Sequence, residues 1–307
     1  IIMGGNSTDN NFRKDDNLLV KPGKKVRLNN FDTKYTGGFK DKEDAAEMLA
    51  KDITRLAELQ DMLYAMNKYS LLVVIQAMDA AGKDGTIKHV MTGINPQGCS
   101  VTSFKQPSAE ELQHDFLWRI NKAMPKRGMI AIFNRSHYEE VLVTRVHPEY
   151  ILGQNIPGID SVDKIDKKFW QKRYDMINNF EKQAYENGTV IIKFFLHVSK
   201  EEQKKRFLAR IEEPDKNWKF SASDVKERQL WDKYMEAFEQ AIENTSTEYA
   251  PWYIIPADRK WFMRAAVGDI IVGTLEKMDL AYPTLSENEK QELQAAKTLI
   301  LKEDNSK

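Results

Sequence analysis

Five short runs in the chain read as β-strands: residues 71–75, 100–104, 129–133, 189–196 and 252–255. The first, third and fourth are almost wholly apolar, as in strands buried on both faces of a sheet. Between them the spacing changes to three and four. Ala45, Met48, Leu49, Ile53, Leu56, Leu59 and Leu63 mark a helix over 41–67, and Phe169, Trp170, Tyr174, Ile177 and Phe180 mark one over 162–187. Ser108 opens a helix that runs past Trp118 to Pro125, and further helices are expected over 260–279 and 286–302. Strands alternating with helices predict an α/β/α three-layer sandwich around a central parallel five-stranded sheet.

The chain is organised around 71–86, L-L-V-V-I-Q-A-M-D-A-A-G-K-D-G-T. A buried strand runs into a small-residue turn, then Gly82-Lys83, then a helix. This is the layout of a phosphate-binding loop. Unpaired N–H groups over Ala81, Gly82, Asp84, Gly85 and Thr86 and the positive end of the helix dipole attract an anion. Lys83 adds a full charge, and Lys88 follows on the same helix. Two features depart from G-x-x-x-x-G-K-[ST]: Ala77 stands for the first Gly and Asp84 for the Ser/Thr. Asp79 lies inside the loop, where a carboxylate repels phosphate unless a metal lies between, so Asp79, with Asp84 beside it, reads as a magnesium holder.

The third run leads directly into Asn134-Arg135-Ser136-His137-Tyr138-Glu139-Glu140. Ligands of open parallel sheets gather at the carboxyl ends of strands, so these groups face the crevice of the phosphate loop. Arg135 suits phosphate oxygens through its bidentate fork. The competing reading is an ion pair with Glu139 or Glu140. Glu139 is a metal or supporting carboxylate, and His137 reads as a packing or hydrogen-bonding residue.

Residues 199–245 form an insertion-like block of two helices. Ser199 and Glu202 have capping-box spacing, and Arg206 and Arg210 share a face. The second helix, over 224–242, follows a basic turn that holds Trp218, the one Trp in a polar setting. Beside a phosphate loop such a block is expected to act as a lid. Residues 1–40, polar and without period, are expected as an N-terminal extension that wraps the core, wraps a neighbouring subunit, or stays loose; 41–307 is expected as the catalytic domain.

Composition narrows the function. The 307 residues are 41% hydrophobic and 30% charged, ample for one large α/β domain. Lys+Arg and Asp+Glu both number 46, which argues against a nucleic-acid-coating protein. The single cysteine, Cys99, excludes a disulfide framework within the chain. No apolar run reaches membrane length and no secretory leader is evident, so a cytoplasmic protein without a membrane partner is expected.

The segments A-M-D-A-A-G-K-D-G-T (77–86), F-N-R-S-H-Y-E (133–139), R-V-H-P-E (145–149), K-F-F-L-H-V-S-K-E-E-Q-K-K-R-F (193–207), W-K-F-S (218–221) and P-W-Y-I-I-P-A-D (251–258) closely resemble the polyphosphate kinase 2 family. The resemblance runs from about residue 15 to about residue 300. It implies a P-loop kinase-like fold with a helical lid, similar to thymidylate kinase. It implies reversible, Mg2+-dependent phosphoryl transfer between inorganic polyphosphate and adenine or guanine nucleotides, with Mn2+ as a substitute metal. The His137-Tyr138-Glu139 form resembles the class III branch, which accepts both mono- and diphosphates. The resemblance places the Walker A roles on Asp79, Gly82, Lys83 and Asp84, the Walker B roles on Asn134, Arg135 and Glu139, and the lid arginines at Arg206 and Arg210. Many members carry Gly at the position of Asp84 and Asp at that of Asn134.

The expected catalytic set is therefore Asp79, Lys83, Arg135 and Glu139, with Asp79 and Glu139 on the metal and Trp218 on the nucleotide. A homo-oligomer, dimer or tetramer, is expected. The alternatives are an ATP-dependent nucleoside monophosphate kinase and a nucleotide-binding module without turnover.

Overall fold

A computed structural model describes residues 12–304 of the chain. Six strands form one sheet: β1 (Leu19–Val20), β2 (Ser70–Ala77), β3 (Cys99–Ser103), β4 (Ile130–Asn134), β5 (Thr189–His197) and β6 (Trp252–Pro256), in the order β1-β6-β5-β2-β4-β3. The five long strands are parallel and correspond to the five expected runs. The sixth strand corrects the expectation of five. It comes from the N-terminal extension and pairs antiparallel with β6, Leu19 opposite Tyr253. Two residues are too short to show a period of two.

β2 is central and buried along its whole length, which explains its unbroken apolar character. The chain leaves β2 toward β3 and β4 on one side and later toward β5 and β6 on the other. The reversal opens a crevice at the carboxyl end of β2, where α/β sheets bind ligands.

The helices are α1 (Lys42–Met66), α2 (Lys83–Val90), α3 (Trp118–Ala123), α4 (Glu139–Val146), α5 (Glu149–Leu152), α6 (Lys167–Glu186), α7 (Lys200–Glu212), α8 (Ala222–Arg228), α9 (Trp231–Thr245), α10 (Lys260–Leu275) and α11 (Glu287–Asp304). α1, α2 and α10 pack together on one layer; α4, α6 and α9 pack together on the other. Asp41 caps α1 through the N–H groups of Glu43 and Asp44, and Ser199 caps α7 through that of Glu202. No helix among the described residues is long and apolar enough to cross a membrane.

Two expected helices are broken. Ser108 and Glu111 do form a reciprocal capping box (Ser108 N–Glu111 Oε2 2.8 Å), yet only one 3-10 turn follows before α3 restarts at Trp118. The expected helix over 224–242 is α8 and α9, separated at Gln229-Leu230.

The described part of the extension lies on the core rather than loose. Phe12, Leu18, Val20, Val26 and Leu28 are buried, and the Phe12 ring meets Phe262 edge-on at 5.5 Å. Gly37 has φ +58°, and a Cβ there would overlap the Phe12 ring at 2.2 Å, so the turn needs glycine twice over. Asp258 ties three segments together: it accepts from Ser199 N (2.7 Å) and Thr33 Oγ1 (2.9 Å) just past the end of β6.

Below the sheet's polar edge lies a buried charged network. Lys193, on β5 and fully buried, donates to Glu181 Oε2 (2.5 Å), the Tyr138 hydroxyl (2.8 Å) and the Thr245 carbonyl (2.8 Å). Glu181 Oε1 also accepts from the Tyr138 hydroxyl (2.8 Å) and lies 3.0 Å from His137 Nε2. Burial works against the Glu181 charge, but Lys193 and His137 outweigh it and hold the carboxyl below its usual range.

Candidate active site

β2 ends at Ala77, and the chain turns through Met78–Gly82 into α2. Gly82 is the N-cap, at φ +117°; a Cβ there would lie 3.0 Å from Met263 Cε and 3.9 Å from Arg206 Nη1. Ala80 holds φ +62°, a conformation that costs a non-glycine residue. Across the crevice Arg135 holds φ +63°, its N–H bonded to the Ile75 carbonyl at 3.0 Å. Two left-handed residues, one in each turn, thus shape the loops beyond β2 and β4.

The strained turn aims Arg135 at the loop. Its Nη2 lies 2.8 Å from Asp79 Oδ1 and its Nη1 lies 3.1 Å from Glu139 Oε2. The Glu139 charge first, and Asp79 after it, hold the guanidinium firmly ionised against the cost of burial. The ion-pair reading of Arg135 and its place at the phosphate loop are therefore both present. Lys83 folds back onto the Ala77 carbonyl (3.0 Å); burial and then the Arg135 charge push its ammonium below the usual range.

Asn134 and Asp84 pair with each other, Nδ2 to Oδ1 at 2.6 Å. The two departures from the common motif thus form one contact across the crevice. Thr86 is buried, and its hydroxyl donates to the Gly82 carbonyl at 3.1 Å, so it holds its own helix. Gly85 lies in the first turn of α2, against Arg264, and Lys88 is exposed in the last.

Arg206, expected as a lid arginine on the phosphates, is here seated against the loop itself. Its side chain is only 8% exposed, behind the loop. Nε donates to Glu202 (2.8 Å), Nη1 to the carbonyls of Ala80 (3.1 Å) and Ala81 (2.6 Å), and Nη2 to those of Ala257 (2.7 Å) and Asp258 (3.2 Å). Every N–H of the guanidinium is used, four of them on backbone. Arg210, one turn later, donates to the Lys219 carbonyl (3.3 Å) and faces Asp224 at 3.5 Å. Trp218 is 78% exposed on a 3-10 turn, with the Lys219 ammonium 4.9 Å from its ring centre. Neither Arg210 nor Trp218 reaches the Asp79–Arg135 cluster.

Several residues that the sequence does not single out hold the site together. Gln76, buried at the end of β2, satisfies its neighbours when its amide Nε2 faces Glu139 Oε1 (3.0 Å) and its Oε1 accepts from the Ser136 hydroxyl and N–H (both 3.0 Å). It thereby fixes Glu139 and the peptide that follows Arg135. Gln203 links block and loop: its amide donates to the Asp79 carbonyl (2.9 Å), and its oxygen accepts from Arg228 (2.7 Å). Tyr234 and Glu227 line a cavity of about 30 Å3 together with Asp79, Arg135 and Glu139. Glu227 accepts from Tyr234 (2.5 Å) and lies 2.9 Å from His147 Nε2. The one available signal was chemical: His147 lies in R-V-H-P-E, and Gln203 in the segment after β5.

Among the described residues no group of three His, Cys, Asp or Glu could hold a metal by itself. Magnesium does not need one: it takes one or two carboxylates and completes its shell with water and phosphate oxygens. Asp79 uses only Oδ1 on Arg135, whereas Glu139 has Oε2 on Arg135 and Oε1 on Gln76. The donor set fits a divalent cation, which Asp79 would hold through its second oxygen and Glu139 would support from behind.

Residues 39–283 match the sequence profile of the family described as Polyphosphate kinase 2 (PPK2). Over 289 residues, 94% of this chain and 99% of the relative, the sequence is 50% identical to the ADP-polyphosphate phosphotransferase of Rhodopseudomonas palustris. It is 46% identical to the AMP/ADP-polyphosphate phosphotransferase of Meiothermus ruber, over 86% of this chain and 94% of that one. The fold is similar to the crystal structure of polyphosphate kinase 2 from Arthrobacter aurescens TC1, with a TM-score of 0.81, 40% identity, and 92% and 96% of the two chains covered. With the strand–loop–helix of 70–90, the Arg135 turn and a parallel sheet behind them, the chain belongs to the polyphosphate kinase 2 family.

Proposed function

We propose that this chain moves phosphoryl groups between inorganic polyphosphate and the phosphates of AMP and ADP. Beyond family membership, the reading is carried by one observation: Arg135 bridges Asp79 and Glu139 beside Lys83, at the carboxyl end of the central strand. Phosphoryl transfer asks little covalent chemistry of a protein; it asks for alignment and charge neutralisation.

A phosphate oxygen of the acceptor nucleotide attacks the terminal phosphorus of the chain. The bond from that phosphorus to its bridging oxygen breaks, and the shortened chain leaves as an ionised phosphate. The attacking oxygen is already ionised near neutral pH, so no strong base is required. Backbone N–H groups of Ala81–Thr86 and the Lys83 ammonium hold the transferred group, and Arg135 neutralises its equatorial oxygens. Asp79 would hold a divalent metal, for which Mg2+ is the first choice, and the metal would supply charge neutralisation. Glu139 keeps Arg135 in plane. Residues 199–245 act as the lid, with Arg210 and Trp218 approaching the nucleotide only on closure, and Arg206 keeping its place as the brace of the loop.

Acceptor range belongs to the same proposal. The two relatives carry different names in this respect, one ADP- and one AMP/ADP-. His137 and Tyr138 are both fully buried, so any link between the H-Y-E form and substrate range acts through the placement of Arg135 and Glu139. A grip on phosphate and metal rather than base lets AMP and ADP enter one register apart, and guanine nucleotides with them. A homo-oligomer remains part of the reading; Leu293, Leu299 and Ile300 on α11 are exposed in the single chain.

The test is AMP, magnesium and long-chain polyphosphate, free of adenylate kinase, with nucleotides resolved over time. ADP first and ATP after it is the expected course. ADP without ATP restricts the chain to monophosphates; product formed only when ATP is the donor overturns the reading.

A further inference from the structure

α10 begins at the carboxyl end of β6, on the same edge as the phosphate loop and two strands from β2, roughly 10 Å along the sheet. Its first turns carry Lys260 and Arg264, four residues apart and so on one face. Arg264 Nη2 lies 3.6 Å from the position a Cβ would take on Gly85, against the first turn of α2. Arg264 Nε is buried and has no hydrogen-bond partner. The charge of Arg206, itself against Gly82, bears on Arg264 from the loop side.

Among the described residues no carboxylate pairs with Lys260 or Arg264. Glu202 is the one acid felt at Lys260, and it is spent on Arg206 at 2.8 Å. Partial burial of its ammonium end first, and then the Arg206 and Arg264 charges, push the otherwise exposed Lys260 below its usual range; Lys216, from the 3-10 turn of the block, adds to the effect. Cations gathered without acids destabilise the protein that holds them, and an anion lying along them offsets that cost.

We propose that Lys260 and Arg264 form a distal anion subsite for the donor, gripping phosphates of inorganic polyphosphate that lie beyond the group held by Lys83. This rests on the functional reading above and extends it from the reacting phosphate to the rest of the chain. The chemistry also separates two donors. A nucleoside triphosphate directs a neutral base away from its phosphates, whereas polyphosphate continues as anion. A wall of unpaired cations matches the second.

The experiment compares wild type with Lys260→Gln, Arg264→Gln and the double variant, using long-chain polyphosphate or tripolyphosphate as donor and ADP as acceptor. Lys260 is exposed, so its variant keeps the fold even if Arg264→Gln does not. The KM for long chains is expected to rise about tenfold in the double variant, the loss typical of one strong charge-assisted contact. The KM for ADP stays put, the tripolyphosphate KM moves little, and Lys260→Arg restores wild-type behaviour. Unchanged long-chain KM overturns the proposal, and so does an equal rise for ADP. If wild type shows no turnover from polyphosphate, the functional reading fails first. Titration of Trp fluorescence with polyphosphate then decides the subsite alone: binding weakened in Lys260→Gln supports it, and no binding, or binding unchanged in the variant, overturns it.

Discussion

Arg135 Nη2 lies 2.8 Å from Asp79 Oδ1, and the contact joins the turn after β4 to the loop after β2. The same guanidinium reaches Glu139 at 3.1 Å, so one planar group sets the spacing of two carboxylates. Lysine keeps the charge but has a single donor head and no fork. Arg135→Lys is therefore expected to lower kcat/KM for polyphosphate and ADP about 100-fold, roughly 3 kcal/mol of transition-state stabilisation. The melting temperature should move by no more than a degree or two, because the side chain is 36% exposed. Kinetics close to wild type would reduce Arg135 to an ion-pairing residue.

Arg206 is the opposite case, a cation whose donors are all spent inside the protein. Arg206→Lys leaves the carbonyls of Ala80, Ala81, Ala257 and Asp258 with at most part of their partners. Each buried group left unpaired costs about 1–3 kcal/mol. Calorimetry should show the variant clearly less stable, with activity falling in proportion to the folded fraction at the assay temperature. A stable variant that loses only polyphosphate affinity would mean that Arg206 acts on substrate.

This contrast marks what the sequence could show. Four of the five parallel strands were legible because burial imposes an apolar run on each; β3, at the sheet edge and largely exposed, carries only a weak one, and β1 was not legible, since two residues at an edge carry no pattern. The Asp79, Lys83, Arg135 and Glu139 positions were legible because loops at the carboxyl edge concentrate charge within a few residues. Helical spacing put Arg206 and Arg210 on one face, but it could not say that Glu202 and four distant carbonyls would capture the first. Gln76 and Arg264 escaped notice for the same reason: each looks local, and each meets residues far along the chain, Ser136 and Glu139 for the first and Gly85 for the second.

The Lys193–Glu181 pair is fully buried at 2.5 Å. Removing one partner strands the other charge in the core. Lys193→Met is expected to cost about 3–5 kcal/mol, and the Lys193→Met/Glu181→Gln double variant much less. Chemical denaturation of Lys193→Met, Glu181→Gln and the double variant measures this. Additive losses would contradict a coupled pair.

Asp52 on α1 and Asp269 on α10 face each other across the helical layer. Burial, with Asp269 and Glu276 adding, raises Asp52 to about 7; burial raises Asp269 to about 6. Both bind a proton more tightly folded than unfolded. The folded state thus gains protons relative to the unfolded one between about pH 4 and 7, and stability falls as pH rises through that window. Asp52→Asn removes the ionisation. Its melting temperature should exceed wild type at pH 8 by a few degrees and differ little at pH 5; an advantage equal at both would exclude titration as the cause.

The central claim is that the transferred phosphate comes from polyphosphate. Phosphorus NMR of wild-type enzyme with ADP, magnesium and long-chain polyphosphate follows donor and product in one sample. One nucleotide γ-phosphate is expected to be gained for each chain phosphate lost, with the total of AMP unchanged. Growth of ATP matched by AMP, with the polyphosphate signal constant, would show transfer between two nucleotides and contradict it.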